Sequence, residues 1–240
     1  METSLHRELK RRYAGDEAQV EVRRGSYRID AVVGEELVEI QHGSLAAIRD
    51  KVRALVAEHP VRVVKPVVCS KLLVKRKRKQ GPVVDRRMSP KRGTLLSVFD
   101  ELVYFTKAFP HPRLTLELVL VDIEEWRYPG HGRRRRYRQN DFVVEDQKLS
   151  AVHGVHRLQT AADLQALLST ASSTAGAEPL PSPFHTGHLA QYLDVQRFFA
   201  QRIAYCLRQT GAALQVGKQG NALLYQFAPP PKTRKRRRAA

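Results

Sequence analysis

The sequence predicts an α/β fold, in which a mixed sheet is flanked by helices, followed by a small second domain. The first observation is the order of hydrophobic patterns in residues 3–70, which runs helix, three strands, helix, strand. The second is a β-branched run at residues 61–70, typical of a buried strand. The third is a change of composition at residues 169–183, where Ser, Ala, Pro and Gly dominate as in a linker.

The first six elements follow in order along the chain. They are a helix at 3–14, strands at 18–24, 26–33 and 36–41, a helix at 44–58 and a strand at 61–70. Ser4 and Ser44 are predicted to cap the two helices. Because a helical crossover returns the chain in the same direction, the fourth strand should pair in parallel with one of the first three.

The first domain is predicted to extend to residue 168. Its further elements are a basic strand pair turning at Gln80-Gly81, a helix at 94–105, a strand at 113–126, a hairpin arm within 133–146 and a helix at 160–168. Residues 169–182 are then predicted to form a linker. A basic tail at residues 228–240 is predicted to be disordered, because its composition cannot bury a core.

Residues 183–227 are predicted to fold separately, as a short helix, a turn, a longer helix at about 195–209 and a hairpin around GKQGN. This order resembles the winged helix-turn-helix family. The resemblance implies that the longer helix, with Arg202 outward, enters a major groove and that Lys218 of the wing contacts phosphate or a minor groove. A winged helix that contacts another protein is the alternative.

Charge is the first functional signal. Lys and Arg total 42 against 24 Asp and Glu, which gives a net charge of +18 and a pI near 10.3. Such an excess favours a nucleic acid partner, and DNA in particular, because neutralising phosphates releases condensed counterions. Solvated loops are the alternative. The candidate phosphate-binding residues of the two internal clusters are Lys75, Arg76, Lys77, Arg78, Arg133, Arg134, Arg135 and Arg136.

Carboxylates on neighbouring strands form the candidate catalytic group. Asp30 lies in the second predicted strand and Glu39 in the third, where strand alternation puts Glu39 and Gln41 on one face, about 7 Å apart. Glu8 adds a third carboxylate near the buried side of the first helix. Carboxylates so placed can hold Mg²⁺, which prefers oxygen ligands and activates water for phosphodiester hydrolysis. A polar strand face is the alternative.

With Glu8 in RELK, Asp30 in YRID and Glu39-x-Gln41 in VEIQ, residues 3–70 resemble the PD-(D/E)xK nuclease superfamily. The resemblance implies a restriction-endonuclease-like fold in which Asp30 and Glu39 bind Mg²⁺ or Mn²⁺ and Glu8 assists. The chain departs from the motif at Gln41, where the superfamily has a lysine. This ending is similar to the E-x-Q variants of some restriction enzymes and competence-associated nuclease-like proteins.

The missing lysine leaves the catalytic role open. Gln41 can orient a water molecule by hydrogen bonding but brings no positive charge. Lys65 on the next strand and Lys51 on the second helix are candidates to supply the cation, with ordinary surface or strand-edge lysines as the alternative. The leading hypothesis is a Mg²⁺-dependent DNA endonuclease or DNA-processing protein. The alternatives are a non-catalytic DNA-binding protein with an inactive nuclease fold, and a winged-helix module that binds protein.

The remaining features predict a soluble protein of the cytoplasm, or of the nucleoid if the source is bacterial. No apolar run reaches the roughly 18 residues that span a bilayer, and the start lacks the apolar stretch of a signal peptide. Cys69 and Cys206 are far apart in the sequence and lie in apolar surroundings, which predicts reduced thiols in the core rather than a disulfide or a zinc site. The HGVH and HTGH pairs lack the companion ligands of zinc sites. The oligomeric state stays open, with a homodimer as one option.

Overall fold

The structure is a computed structural model that describes residues 2–15, 19–130, 142–172 and 179–229. It divides into two compact units, Met1–Gln159 and Thr160–Ala240. The division lies before the predicted helix at 160–168, and not in the predicted linker. The reason is that Gln165 of this helix donates hydrogen bonds to the Ala212 and Ala228 carbonyls, at 2.7 and 3.0 Å.

The first unit is a mixed α/β fold with a large mixed sheet flanked by helices, as the sequence predicts. Its elements are α1 (Ser4–Ala14), β1 (Gln19–Arg24), β2 (Tyr27–Val33), β3 (Glu36–Ile40), a 3₁₀ helix (Leu45–Ile48), α2 (Arg49–Leu55), β4 (Val61–Arg76), β5 (Val83–Met88), a 3₁₀ helix (Leu95–Ser97), α3 (Val98–Leu102), β6 (Leu114–Pro129) and β7 (Phe142–Leu158).

Within the described residues, seven strands form one sheet in the order β1-β2-β3-β4-β6-β7, and β5 pairs with β4. The first three strands are an antiparallel meander, and β4 runs parallel to both β3 and β6. The predicted parallel crossover is therefore confirmed. The predicted basic strand pair is also confirmed, because β5 runs antiparallel to the second half of β4.

One face of the sheet is covered by α1. Leu5 and Leu9 are fully buried against Val38, Val64 and Val121 of the central strands. Side chains alternate along a strand, so the sequence neighbours of Val38, Val64 and Val121 point to the opposite face of the sheet. On that face Lys51 of α2 reaches Glu39 of β3, which shows that α2 covers it. The sheet is thus the middle layer of three.

The helices begin differently from the sequence prediction at two points. Thr3, and not Ser4, caps α1 by accepting a hydrogen bond from the His6 amide, while Ser4 binds Asp146 through its amide and hydroxyl groups. The predicted helices at 44–58 and 94–105 each begin with a 3₁₀ turn and are shorter than expected. Hydrophobic periodicity does not distinguish a 3₁₀ turn from an α turn, because both place apolar residues at similar spacings.

The second unit contains α4 (Ala161–Ala171), α5 (Thr186–Tyr192), α6 (Arg197–Gln209) and the hairpin of β8 (Ala213–Gln219) and β9 (Ala222–Phe227). Phe184 packs on the rings of Tyr225 and Phe227, and exchanges two backbone hydrogen bonds with Tyr225. Residues 228–229 are the only described part of the predicted tail. None of the described helices is long and apolar enough to cross a membrane.

The packing of α1 on the sheet predicts the cost of removing Leu9. Leu9→Ala leaves a cavity under a fully buried side chain, so we expect the free energy of unfolding to fall by about 2–5 kcal/mol. The matched control is Val84→Ala, whose side chain is 53% exposed, and its effect should stay within about 0.5 kcal/mol. Denaturant titration of both variants measures the difference, and equal losses would contradict this packing.

Candidate active site

The second and third strands separate where the candidate carboxylates lie. The pairing of β2 with β3 ends at Ala31 and Val38. Asp30, the next residue of β2, turns its side chain toward β3 and accepts a hydrogen bond at Oδ2 from the Ile40 amide, at 2.8 Å. A carboxylate therefore satisfies an amide that would otherwise need a strand partner. The bond holds Asp30 at the fork between the two strands.

Two side chains of α1 reach Asp30 at this fork. His6 Nε2 lies 3.2 Å from Asp30 Oδ1, and Lys10 Nζ lies 3.9 Å from the same oxygen. Burial raises the pKa of Asp30, but hydrogen bonds from His6 and the Ile40 amide, with the charges of His6 and Lys10, outweigh burial and lower it. Asp30 is therefore an anion at neutral pH.

The pKa of Glu39 is shifted in the opposite direction to that of Asp30. Its side chain is 5% exposed, and burial raises the pKa of its carboxyl to about 7, against the effect of Lys51. The Lys51 ammonium lies 2.5 Å from Glu39 Oε1 and lowers the pKa of Glu39, but by less than burial raises it. The charge of Asp30 raises the pKa of Glu39 further. The two carboxyls therefore interact, and one of them is close to half-protonated at neutral pH.

Lys65 does not reach Glu39 and instead organises the loop after β3. Its ammonium donates hydrogen bonds to the His42 and Gly43 carbonyls, at 3.1 and 2.5 Å, and lies 3.8 Å from Glu101 Oε1. Glu101 Oε2 in turn accepts from the first amide of the 3₁₀ helix, that of Leu45. Lys65 and Glu101 thus hold the turn that leads from β3 into α2.

Gln41 also belongs to this turn. Its amide side chain donates to the Ser44 carbonyl at 2.7 Å, and its backbone amide extends the pairing of β3 with β4 by donating to Val64 at 2.8 Å. The side chain is partly exposed. The bond to Ser44 directs the side chain toward this turn.

Glu8 is not among the groups that meet at the fork. It is half-buried and makes no hydrogen bond or ion pair with the described residues. The helix residues that face the fork are His6 and Lys10, which the sequence prediction did not name. Their spacing of four residues, which puts two polar side chains on one side of a helix, is the signal that could have identified them.

The donor set at the fork is two carboxylates. Asp30 turns its oxygens to His6 and Lys10 of α1, whereas Glu39 Oε1 is buried with the Lys51 ammonium of α2 2.5 Å away. Among the described residues, no group of three His, Cys, Asp or Glu side chains is placed to hold a metal. Mg²⁺ commonly binds through one or two carboxylates and completes its shell with water and substrate phosphates. The two carboxyls are therefore of the ligand type that Mg²⁺ uses, and an ion at Glu39 would have to displace Lys51.

Four candidate phosphate-binding residues lie at the turn between β4 and β5. Lys75, Lys77 and Arg78 are exposed. Arg76 is half-buried, and its guanidinium lies 4.5 Å from the centre of the Trp126 ring. The first three are free to meet a phosphate backbone, whereas Arg76 packs on the sheet.

The other candidates for nucleic acid contact lie elsewhere. Arg133, Arg134, Arg135 and Arg136 lie outside the described residues. Arg202 is exposed on α6, with its guanidinium 5.9 Å from the centre of the Phe198 ring, and Lys218 is exposed on β8. Both therefore face solvent in the second unit.

The two histidine pairs have structural partners. His153 Nε2 lies 2.8 Å from Asp122 Oδ2. His185 caps α5 by accepting hydrogen bonds at Nδ1 from the Gly187 and His188 amides, and its ring stacks on that of His188 with centres 3.6 Å apart. Three of these four histidines therefore have partners among the described residues.

Comparison with known proteins gives a family and a relative. Residues 3–159 match the family described as "Domain of unknown function (DUF8091)", and the match ends at the boundary of the first unit. A protein of Treponema pallidum (strain Nichols), called "Uncharacterized protein", is 30% identical over 233 residues, which cover 95% of this chain and 86% of the relative. No solved structure matches the chain.

The raised pKa of Glu39 predicts a dependence of stability on pH. Its ordinary pKa is 4.5 and its folded value is about 7, so between these values the folded state binds more protons than the unfolded state. The contribution is complete below about pH 4.5 and is lost as the pH rises through about 7, with a total of roughly 3 kcal/mol. Relative to the parent, Glu39→Gln should therefore gain up to that amount between about pH 4 and about pH 8.

Unfolding free energies measured across this range check the prediction. The control is Asp50→Asn on α2, an exposed carboxylate whose pKa is lowered by Arg49, so that above about pH 5 it stays ionised in both the folded and the unfolded state. Its difference from the parent should stay constant. Identical pH profiles for the parent and Glu39→Gln would show that Glu39 titrates normally.

Proposed function

Since the chain belongs to the DUF8091 family, whose description assigns no activity, we propose from its own residues that the protein is a Mg²⁺-dependent phosphodiester hydrolase acting on DNA. The observation that carries the proposal is the fork between β2 and β3, where Asp30 and Glu39 meet. They lie in an element order of helix, three antiparallel strands, helix and parallel strand. That order and those two carboxylates support a restriction-endonuclease-like assignment of the first unit.

Each residue at the fork has a role in this proposal. Asp30 and Glu39 would hold the ion, which when bound supplies a Lewis acid and an activated water. Asp30 is already anionic, whereas Glu39 must release its proton and its contact with Lys51. Lys51, which also donates to the Arg28 carbonyl, would stay near the fork as a cation that could stabilise developing negative charge, the task that Gln41 cannot perform.

The proposed substrate is DNA, and the charge of the protein supports it. The exposed cations of the β4–β5 turn lie in the same unit as the fork. In the second unit, the order of α5, α6 and the β8–β9 hairpin supports a winged helix with Arg202 on the longer helix and Lys218 on the hairpin. Together these surfaces would bind the phosphate backbone and raise the local concentration of substrate.

The alternative is a DNA-binding protein without activity. The specific observation in its favour is that both carboxyls already have partners, His6 and Lys10 at Asp30 and Lys51 at Glu39. A site that retains these ion pairs would keep its fold and its basic surface but not bind metal. The two functions therefore differ in whether Mg²⁺ displaces Lys51.

Metal binding separates these two functions. If the fork binds Mg²⁺, the ion should raise the melting temperature of the parent, and the effect should be larger at about pH 8 than at about pH 6, because Glu39 must lose its proton first. Asp30→Asn should lose the effect, and Asp50→Asn should keep it. A melting temperature that does not respond to Mg²⁺ at either pH would favour the inactive DNA-binding protein.

Cleavage tests the hydrolase itself. We expect the parent to cut at least one of linear, nicked, branched and single-stranded DNA with Mg²⁺ or Mn²⁺. Asp30→Ala and Glu39→Ala should bind the same DNA equally well but lose at least about 100-fold in rate, because each removes a metal ligand. The exposed-carboxylate control Asp50→Ala should cut like the parent. Salt-sensitive binding without cleavage of any substrate would refute the proposal.

A further inference from the structure

A second site lies at the far end of the long strands, in a cleft of about 390 Å³. The cleft is lined by Lys75, Asp85, Arg87, Arg127, Tyr128 and Phe142, among others. Its volume falls in the range of about 300–1,000 Å³ that is common for small-ligand sites. It combines cations with aromatic rings, which is the combination that single-stranded nucleic acid sites use.

The strand register concentrates positive charge in this cleft. Lys75 of β4 has Arg127 of β6 as its partner on one side and Asp85 of β5 on the other. Arg87 is two residues from Asp85 and so points to the same face. Three cations thus share this face with one carboxylate, and no ion pair joins Asp85 to them in the described part of the chain. Like charges on paired strands destabilise a sheet, and a bound anion would relieve the repulsion.

Arg127 is held in place for such an anion. Its guanidinium lies 4.5 Å from the centre of the Phe142 ring, a cation–π contact that restrains the side chain. A guanidinium beside an aromatic ring can still donate N–H groups to a phosphate. The strand partner of Phe142 is Pro129, two residues from Arg127, so Phe142 lies on the same face as Arg127 and offers its ring for stacking.

We propose that this cleft binds one unpaired nucleotide of a DNA strand, with the phosphate at Lys75, Arg87 and Arg127 and the base against Phe142. A duplex does not offer such a group, because its bases are stacked inside the helix. The occupant is therefore a single strand, an overhang or a branch. This inference rests on the proposed action on DNA and specifies the form of the substrate.

The cleft is separate from the carboxylate fork. Glu39 pairs with Val63 on β4, and Lys75 lies 12 residues further along the same strand (75 − 63 = 12). At about 3.3 Å per residue, the path along the strand is about 40 Å. The cleft therefore acts as an anchor for an unpaired segment, while the fork would act on a different part of the DNA.

Binding to a fluorescein-labelled single-stranded 20-mer, measured by anisotropy with EDTA present, tests the cleft independently of cleavage. Arg87→Gln should reduce the slope of log affinity against log salt by about 0.7, the value for one phosphate contact on a single strand. Arg86→Gln is the matched control, because Arg86 is exposed on the same strand but points to the opposite face. It should leave the slope unchanged.

The aromatic contact is tested with Phe142→Leu. Loss of base stacking should weaken single-strand binding by about five-fold or more and leave duplex binding unchanged. A 20-mer containing 5-iodouracil should cross-link to the peptide that contains Phe142. Equal effects of Arg86→Gln and Arg87→Gln, equal effects of Phe142→Leu on both DNA forms, or cross-links only elsewhere would refute the proposal. If the expected binding results are obtained but no DNA is cleaved, the proposed hydrolase activity is refuted and the proposed nucleotide binding in the cleft is supported.

Discussion

The hydrogen bonding of β4 is the constraint on which the first unit depends. One edge of this 16-residue strand is satisfied along its length by β6, while the other edge is divided between β3 and β5. Between them, the Gly93 and Ser89 amides donate to the Val68 and Lys71 carbonyls at 2.8 Å each. A side chain at Gly93 would put its Cβ 2.6 Å from the Val68 carbonyl oxygen, so only glycine allows this approach. The segment after β5, dense in charge and turn residues, thus completes the edge of the sheet.

The way in which β3 and β5 share one edge of β4 determines where the two candidate sites lie. β3 has only five residues and ends at the fork. There the Ile40 amide donates to the Asp30 side chain, and the amide of the next residue, Gln41, donates to β4. The β5 portion brings Asp85 and Arg87 beside Lys75, and β6 adds Arg127. Both sites are therefore consequences of how the backbone donors and acceptors along β4 are satisfied.

The fork itself is electrostatically asymmetric. Asp30 is stabilised as an anion by His6, Lys10 and an amide, whereas burial keeps Glu39 near half-protonation although Lys51 is adjacent. Two neighbouring carboxyls with pKa values moved in opposite directions are typical of functional sites, although structural ion pairs also shift pKa values. For a metal site, the consequence is that affinity depends on pH, since one ligand must lose its proton before binding.

The sequence by itself determined the order of helices and strands, the parallel return of β4, the basic turn and the identity of Asp30 and Glu39 as neighbours on adjacent strands. These follow from hydrophobic periodicity, turn residues and charge, which are local properties of the chain. Tertiary structure decided what each side chain contacts. His6 and Lys10, and not Glu8, contact Asp30, and Lys51, and not Lys65, contacts Glu39. Tertiary structure also decided that α4 belongs to the second unit. It also decided the cleft, because strand register sets which residues of β4, β5 and β6 become neighbours, and register depends on packing between segments far apart in the sequence.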